Sequence, residues 1–525
     1  MNVLLSVFPF PAHSYVPSPQ SGLIVMAANI SVAPPELDGP KLYRAFVGGA
    51  WVASSDDAWI EVRDPSDNSI FAHVPALTRA DVERAIKCAH DARRKIRDIP
   101  AIQRIEILEH AKRILEENRS VLTDVLVAES GKPINVAKGE VKATIERLAL
   151  TGQEARTMHG DFIPGDWVED TKGKIAIVRR QPRGVIAAIT PFNYPLFIAA
   201  AKVTPALVAG NTVIVKPSTE TPLSMLFFAK ALDEAGLPKG TLNIVTGRGS
   251  EIGDVIAESP LVDMISFTGS TSVGERIVRK AGMKHLALEL GGKGAALVLD
   301  DANLDLAVRE IARGALRFQG QRCDAVSRVL VDEVVANDFA QRLVKEVLKS
   351  YKTGDPRDEN TSLGPLINAK AVAYAQELVM DARGKGAQLL TGGGYVGNFH
   401  EATVLDHVTV DMRIAWEEQF APILPILRCR GYEEMLDIAN RSEYGLDSSV
   451  FTDNINKAWG IAKRLEDGAV TINGYPAHGV GHFPFGGNKK SGMGREGIGA
   501  SIEEMTRPQT IVINLPPLGS PFDWG

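Results

Sequence analysis

Residues 264–274 read M-I-S-F-T-G-S-T-S-V-G and run directly into E-R-I-V-R-K-A. Five residues with strand preference meet a glycine and small hydroxyl residues, after which the apolar spacing becomes helical. Gly269, Ser270 and Gly274 therefore stand between a strand and a helix. Unpaired backbone N–H groups and the positive end of the helix dipole can hold a pyrophosphate there. The same residues also suit a plain tight turn, and the run alone does not choose between the two. It does establish a strand, glycine turn and helix as one unit.

That unit recurs on both sides. Between Gly184 and Asp300 the runs G-V-I-A-A-I-T, T-V-I-V-K-P, L-N-I-V-T-G, M-I-S-F-T-G and A-A-L-V-L-D alternate with helical segments, which predicts a parallel α/β sheet. V-T-G-R-G-S-E-I-G nearly matches the dinucleotide fingerprint, with one residue too many before Gly253. A second alternating region from about Asp301 to Met493, with R-V-L-V-D-E, I-L-P-I-L-R and A-V-T-I-N-G, predicts a second α/β domain. Upstream, F-V-G-G-A-W-V reads as a hairpin and E-V-R-D-P-S-D-N-S-I as strand and turn. Amphipathic helices are expected over residues 79–94, 102–127 and 135–155. Two isolated β segments, one ending K-I-A-I-V-R-R-Q-P and the other P-Q-T-I-V-I-N-L, are expected to pair as a protruding sheet, a natural assembly surface.

Composition narrows the function classes. A chain of 525 residues exceeds what one core usually organises. With 58 basic against 64 acidic residues and a net charge of −6, it advertises no nucleic-acid surface. Cys88, Cys323 and Cys429 are odd in number and widely spaced, which fits a reducing cytoplasm. Cys88 falls in a helical stretch and Cys429 ends an apolar strand, so both read as packing residues. The apolar start has no basic residue ahead of it and is too short to span a bilayer, so no membrane partner is expected. Residues 1–40, with a second possible start at Met26, read as a disordered extension. His478 and His482 are four apart, but intervening glycines and nearby prolines argue against a helical metal pair, and no metal is assigned.

Chemistry concentrates on Cys323, in F-Q-G-Q-R-C-D-A, and Glu289, in L-E-L-G-G-K. A thiol attacks an electrophilic carbon, and a nearby carboxylate activates water to release the product.

The ordered series I-T-P-F-N-Y-P, V-K-P-S-T-E-T-P, F-T-G-S-T-x-x-G, L-E-L-G-G-K, G-Q-R-C, G-P-L-I, E-E-Q-F-A-P and P-F-G-G-N-K-K-S-G-x-G-R-E-G resembles the aldehyde dehydrogenase superfamily over roughly residues 43–515. The resemblance implies an α/β fold of two parallel α/β domains plus a β oligomerisation arm. Residues 41–158 and 182–290 would bind the dinucleotide, 291–495 would form the catalytic domain, and 159–181 with 500–516 would bridge subunits of a homo-oligomer, a dimer or tetramer. It also implies Cys323 as nucleophile, Glu289 as general base, and Asn193 with the Cys323 N–H as oxyanion hole. Lys216, Ser218, Thr219, Gly269, Ser270, Gly274, Glu418 and Phe420 would contact the cofactor. Members that prefer NAD commonly carry glutamate where this chain has Thr219. A carboxylate there would repel a 2′-phosphate, so NADP is expected, with NAD possible.

D-F-I-P-G-D-W, A-I-T-P-F-N-Y-P-L-F, F-Q-G-Q-R-C-D-A and H-G-V-G-H-F-P-F-G-G-N-K-K-S-G are similar to the archaeal non-phosphorylating glyceraldehyde-3-phosphate dehydrogenases. That resemblance implies oxidation of D-glyceraldehyde 3-phosphate to 3-phosphoglycerate, with Arg322, Tyr194 and His478 toward the phosphate. Lactaldehyde or a semialdehyde is the alternative substrate, and a non-catalytic protein of this fold the remaining one. Where bacterial and plant relatives have an arginine before H-F-P-F, this chain has His478. Either Lys142 or Arg147 could match their helix arginine.

Overall fold

The computed structural model describes residues 41–515, and the expected N-terminal extension lies outside them. The early helices are Arg79–Arg97 (α1), Ala101–Glu117 (α2), Arg119–Ser130 (α3) and Ile134–Glu154 (α4). The single helix expected over 102–127 is thus two. Asn118 separates them, with φ −109° and its side-chain amide donating to the Ile114 carbonyl at 2.8 Å. An asparagine that bonds local backbone competes with the helical ladder.

Strands Val185–Ile189 (β1), Thr212–Lys216 (β2), Leu242–Ile244 (β3), Met264–Thr268 (β4) and His285–Glu289 (β5) form a parallel sheet in the order β3-β2-β1-β4-β5. The first four are buried almost throughout, as a sheet covered on both faces requires. Helices Pro195–Val208 (α5), Leu223–Glu234 (α6), Gly249–Glu258 (α7) and Thr271–Ala281 (α8) make the crossovers. Chain order reverses between β1 and β4, so the crevice beyond their C-terminal ends is where such a sheet binds its ligand. An antiparallel hairpin, Ala45–Val47 with Ala50–Val52, adds to the β3 edge, and its turn places Gly48 and Gly49 at φ 67° and 83°.

The second sheet contains Ala295–Val298 (β6), Arg328–Asp332 (β7), Thr403–Asp406 (β8), Ile423–Cys429 (β9), Asp447–Phe451 (β10) and Ala469–Ile472 (β11). They run parallel in the order β8-β9-β7-β6-β10-β11. The run A-A-L-V-L-D, expected beside the first five strands, is β6 at the centre of this second sheet. The unrecognised H-L-A-L-E supplies β5 instead. The segment between them crosses where only glycine fits. A Cβ at Gly292 would lie 2.5 Å from the Cys323 carbonyl oxygen, and one at Gly294 2.9 Å from that of Ala325.

Thr506–Asn514 pairs antiparallel with Lys174–Pro182 through nine partners, from Thr506↔Pro182 to Asn514↔Lys174, and Asp161–Pro164 adds a third strand. The two isolated β segments therefore join as their sequences led one to expect. Phe162, Trp167 and Val512 on or beside this sheet are exposed. Among the described residues no helix is long and apolar enough to cross a membrane.

Candidate active site

Beyond β1 the chain turns through Thr190–Tyr194 into α5, with Pro195 opening the helix. Asn193 sits in this turn, 4% exposed, and its side-chain amide donates to the Gln321 carbonyl at 3.0 Å. Two groups clamp the turn. Lys132 Nζ donates to the Asn193 carbonyl at 2.8 Å and pairs with the Glu140 carboxylate. Glu140 Oε1 in turn accepts the Leu196 and Phe197 N–H groups, both at 3.0 Å, so it caps the start of α5.

Cys323 approaches the same place from the second sheet's side. Phe318, Gln319 and Gly320 take left-handed conformations in succession, with φ 50°, 54° and 72°. Two non-glycine residues in that region cost free energy that their surroundings must offset. Gln319 Nε2 donates to the carbonyls of Gly131 (3.2 Å) and Pro365 (3.0 Å). Phe318 is fully buried, edge-on to Tyr194 and beneath the Lys132 ammonium. The turn folds Arg317 back, so that Arg317, Arg322 and Cys323 line one cavity of about 370 Å³. Burial pushes the Cys323 thiol well above the usual thiol range. Asp324, Glu418 and Glu289 add to that, and Arg322 opposes it.

Glu289, at the end of β5, lines this cavity and is 4% exposed, and its Oε2 has no hydrogen-bond partner among the described residues. Burial raises its carboxyl well above the ordinary range; Glu496 raises it further, while Lys202 and Arg495 pull it back. Lys202 Nζ donates to Glu496 Oε2 at 3.2 Å and to Ser266 Oγ at 3.1 Å. Sequence reasoning missed both Lys202 and Glu496. The available signal was a lone lysine inside the apolar helix P-L-F-I-A-A-A-K-V-T-P-A-L-V.

The cavity lining is rich in guanidinium, with Arg147, Arg317 and Arg322. Arg322 Nη2 donates to Asp324 Oδ2 at 2.7 Å and to the Pro476 carbonyl at 3.2 Å, whereas Nη1 is buried with no partner among the described residues. Burial alone would lower the Arg322 pKa, but Asp324 and the neighbouring phenols hold it above its usual value. Tyr194 lines the same space, and burial raises its phenol. Of the two candidates on α4, Arg147 faces the cavity and Lys142 is exposed beside Glu146. Arg147 donates to the carbonyls of Val480 (3.0 Å) and Gly497 (3.1 Å). His478 lines the cavity, but its Nε2 is engaged by the Asp447 carboxylate and its ring packs on Phe485 at 4.6 Å. Burial pushes Asp447 up to about 7, and Asp447 in turn raises His478 against the effect of burial.

None of the residues assigned to the cofactor lines this cavity. Lys216 ends β2, is 6% exposed, and among the described residues donates only to the Pro217 carbonyl at 3.0 Å; burial lowers it to about 8. Thr219 Oγ1 reaches the Gly247 carbonyl at 3.4 Å, and Ser218 Oγ accepts from the Glu220 N–H. Ser270 precedes α8 without a side-chain cap, so the first-turn N–H groups of that helix are open to an anion. Gly269 donates its N–H to the Glu289 carbonyl at 3.0 Å. A Cβ at Gly274 would meet Leu290 Cδ2 at 2.4 Å, so the close packing of α8 there requires glycine. Glu418 Oε1 accepts the Gly292 N–H at 2.9 Å, and burial raises its carboxyl to about 7. A Cβ on Gly291 would lie 3.0 Å from Glu418 Oε2. Phe420 takes φ 47° and stands edge-on to Phe192 at 5.8 Å.

The model of the aldehyde dehydrogenase family matches residues 51–511. The chain is 42% identical over 476 residues to the NADP-dependent glyceraldehyde-3-phosphate dehydrogenase of Streptococcus equinus, covering 90% of this chain and 99% of that one. It is 37% identical over 473 residues to the lactaldehyde dehydrogenase of Methanocaldococcus jannaschii, covering 89% and 100% respectively. A crystal structure of glyceraldehyde-3-phosphate dehydrogenase from the same organism, complexed with NADP, superposes with a TM-score of 0.83 at 37% identity, covering 87% of this chain and 99% of that one.

Proposed function

Because the chain belongs to the aldehyde dehydrogenase family, we propose that it oxidises D-glyceraldehyde 3-phosphate to 3-phosphoglycerate with NADP, without incorporating inorganic phosphate. The observation that carries the substrate is the buried, unpartnered Nη1 of Arg322 in the cavity that also holds Cys323, Glu289 and Tyr194. A phosphate oxygen satisfies such a donor, and guanidinium geometry suits it.

Cys323 Sγ loses its proton and bonds to the aldehyde carbon. Glu289, across the same cavity with Oε2 unengaged, is placed to take that proton. The Asn193 amide has one hydrogen on Gln321 and a second left for the developing oxyanion, beside the Cys323 N–H. NADP supplies the hydride acceptor when bound. Loss of the hydride leaves a thioester on Cys323. Once Glu289 has passed the thiol proton to solvent, it removes a proton from the water that attacks the thioester; the C–S bond breaks, Cys323 leaves as thiolate and the carboxylic acid departs. Lys202, held between Glu496 and Ser266, limits the negative charge that accumulates around Glu289.

The residues present fit NADP. The uncapped start of α8 suits the pyrophosphate. Lys216 is desolvated with a single carbonyl partner, and Thr219 brings no carboxylate against a 2′-phosphate. Glu418 and Phe420 bound the nicotinamide end. Residues 41–158 with 182–290 act as the dinucleotide-binding part, 291–495 as the catalytic part, and 159–181 with 500–516 as assembly segments. The exposed Phe162, Trp167 and Val512 support a homo-oligomer through that arm, a dimer or tetramer, and the unpaired cysteines support a cytoplasmic location.

Lactaldehyde is the second reading, and one observation favours it: Asp324 and the Pro476 carbonyl already brace Arg322. Turnover of phosphorylated and unphosphorylated aldehydes, each with NADP and NAD, decides between them. Higher kcat/KM for the phosphorylated aldehyde is expected; equal or better turnover of lactaldehyde would overturn the substrate assignment.

A further inference from the structure

Most carboxylates and cations around the substrate cavity are tied to an opposite charge or to backbone groups. Glu140 is taken by Lys132 and two backbone N–H groups, Asp324 by Arg322, Glu496 by Lys202, and Asp447 by His478. Arg147 is tied to backbone carbonyls, and Glu289 is held toward its neutral form by burial. Arg317 remains. No carboxylate lies within 4.0 Å of its guanidinium among the described residues. Its one hydrogen bond runs from Nη1 to the Tyr475 hydroxyl at 3.4 Å, near the limit for such a bond.

Arg317 and Arg322 converge. Arg322 lies over the Tyr475 ring at 5.7 Å while Arg317 reaches the hydroxyl of that ring. Both guanidiniums act on the Tyr194 phenol, pulling it down against burial, and the Tyr194 hydroxyl has no partner among the described residues. Two like charges brought together in a largely buried cavity repel, and an anion between them converts that cost into attraction. Gly139 leaves room beside this point, since even a Cβ there would stand 3.8 Å from Arg317 Nη2.

We propose that Arg317 is a specificity-determining residue that grips the phosphate of the aldehyde substrate opposite the free Nη1 of Arg322, with the Tyr194 hydroxyl as third donor. The inference rests on the phosphorylated-aldehyde reading and adds a residue to it. It also explains why the chain holds two non-glycine residues in left-handed conformations directly after Arg317. Without that turn a residue six positions before the nucleophile would not share its cavity.

The test compares full-length wild type with Arg317→Met and Arg317→Lys, measuring kcat/KM at saturating NADP for D-glyceraldehyde 3-phosphate and for D-glyceraldehyde. The phosphorylated-to-unphosphorylated ratio is expected to fall about 10- to 100-fold in Arg317→Met, the loss of a charged hydrogen-bond partner, and to fall less in Arg317→Lys. The change should appear mainly in KM. Inhibition by glycerol 3-phosphate should weaken in parallel. An unchanged ratio in Arg317→Met, in a wild type that does prefer the phosphorylated aldehyde, overturns the role of Arg317 alone. A wild type with no such preference overturns the underlying substrate reading instead. Should Arg317→Met not fold, Arg317→Gln gives the same readout.

Discussion

Lys132 Nζ donates to the backbone carbonyl of Asn193 at 2.8 Å from a fully buried position, so a charged side chain fixes the peptide that carries the proposed oxyanion donor. The cation is desolvated, and burial lowers its pKa against the pull of Glu140. It also lies 4.4 Å from the Tyr194 ring centroid and 4.5 Å from that of Phe318. One ammonium therefore joins the Asn193 turn to the left-handed turn before Cys323. An isolated buried charge is costly, and the Glu140 partner with its two amide donors is what makes this one tolerable.

Lys132→Met should then act on both stability and rate. Leaving Glu140 buried without its cation is expected to cost about 3–5 kcal/mol of unfolding free energy, read from urea denaturation. Adding Glu140→Gln should recover part of that. The single-turnover rate of NADPH formation should remain about 100-fold low in both variants, because a displaced Asn193 no longer meets the oxyanion. Full rate in the doubly substituted enzyme would show that the lysine only stabilises the fold.

Glu289→Gln should separate the two halves of the reaction. One equivalent of NADPH per site is expected in a slowed first turnover, with solvent water taking the Cys323 proton, steady-state turnover down at least about 100-fold and an acyl adduct on Cys323 by mass spectrometry. In the wild type the deacylation rate should rise with pH through an ionisation above the ordinary carboxylate range, because burial and Glu496 raise the pKa of the base. Steady turnover by Glu289→Gln at the wild-type rate would remove Glu289 from the mechanism.

Thr219→Glu should reverse the cofactor preference. The new carboxylate would sit near Lys216, whose single carbonyl partner leaves it free to meet a 2′-phosphate. KM for NADP is expected to rise about 10-fold or more, through repulsion between like charges at short range, while KM for NAD falls. Unchanged KM values would place the 2′-phosphate elsewhere.

Much of this was legible in the chain. Strands β1 to β4 declared themselves as short apolar runs, and Cys323, Glu289, Arg322, Tyr194 and His478 do line one cavity. Other features depend on contacts the sequence does not display. H-L-A-L-E was passed over because β5 is only half buried, and A-A-L-V-L-D changes sheet because Gly292 and Gly294 cross against backbone oxygens. The placement of Arg317 in the cavity was invisible for a similar reason. A succession of φ 50°, 54° and 72° at Phe318, Gln319 and Gly320 is held by Gly131, Pro365 and Tyr194, all distant in sequence. Lys202 is the converse case, a lone cation in an apolar helix that composition alone could have flagged.

Glu129 gives a stability prediction with a definite sign. It lies in the last turn of α3, is fully buried, and accepts the Leu223 N–H at 2.7 Å and the Ser224 N–H at 3.1 Å, capping α6 as Glu140 caps α5. Burial raises its pKa to about 7 although those amide donors oppose the shift. Below about pH 4.5 the group is protonated whether the chain is folded or not, and it adds no pH dependence. Between about 4.5 and 7 the unfolded chain releases the proton while the folded one keeps it, so stability falls as pH rises. Above about 7 both states are ionised and the loss is complete, on the order of 3 kcal/mol. Glu129→Gln cannot titrate. The unfolding free energy of the wild type minus that of Glu129→Gln should therefore decrease by roughly that amount from about pH 4.5 to about pH 8, most steeply midway between the two pKa values. Parallel stability curves for the two proteins over that range would mean that Glu129 ionises as readily in the fold as in the open chain.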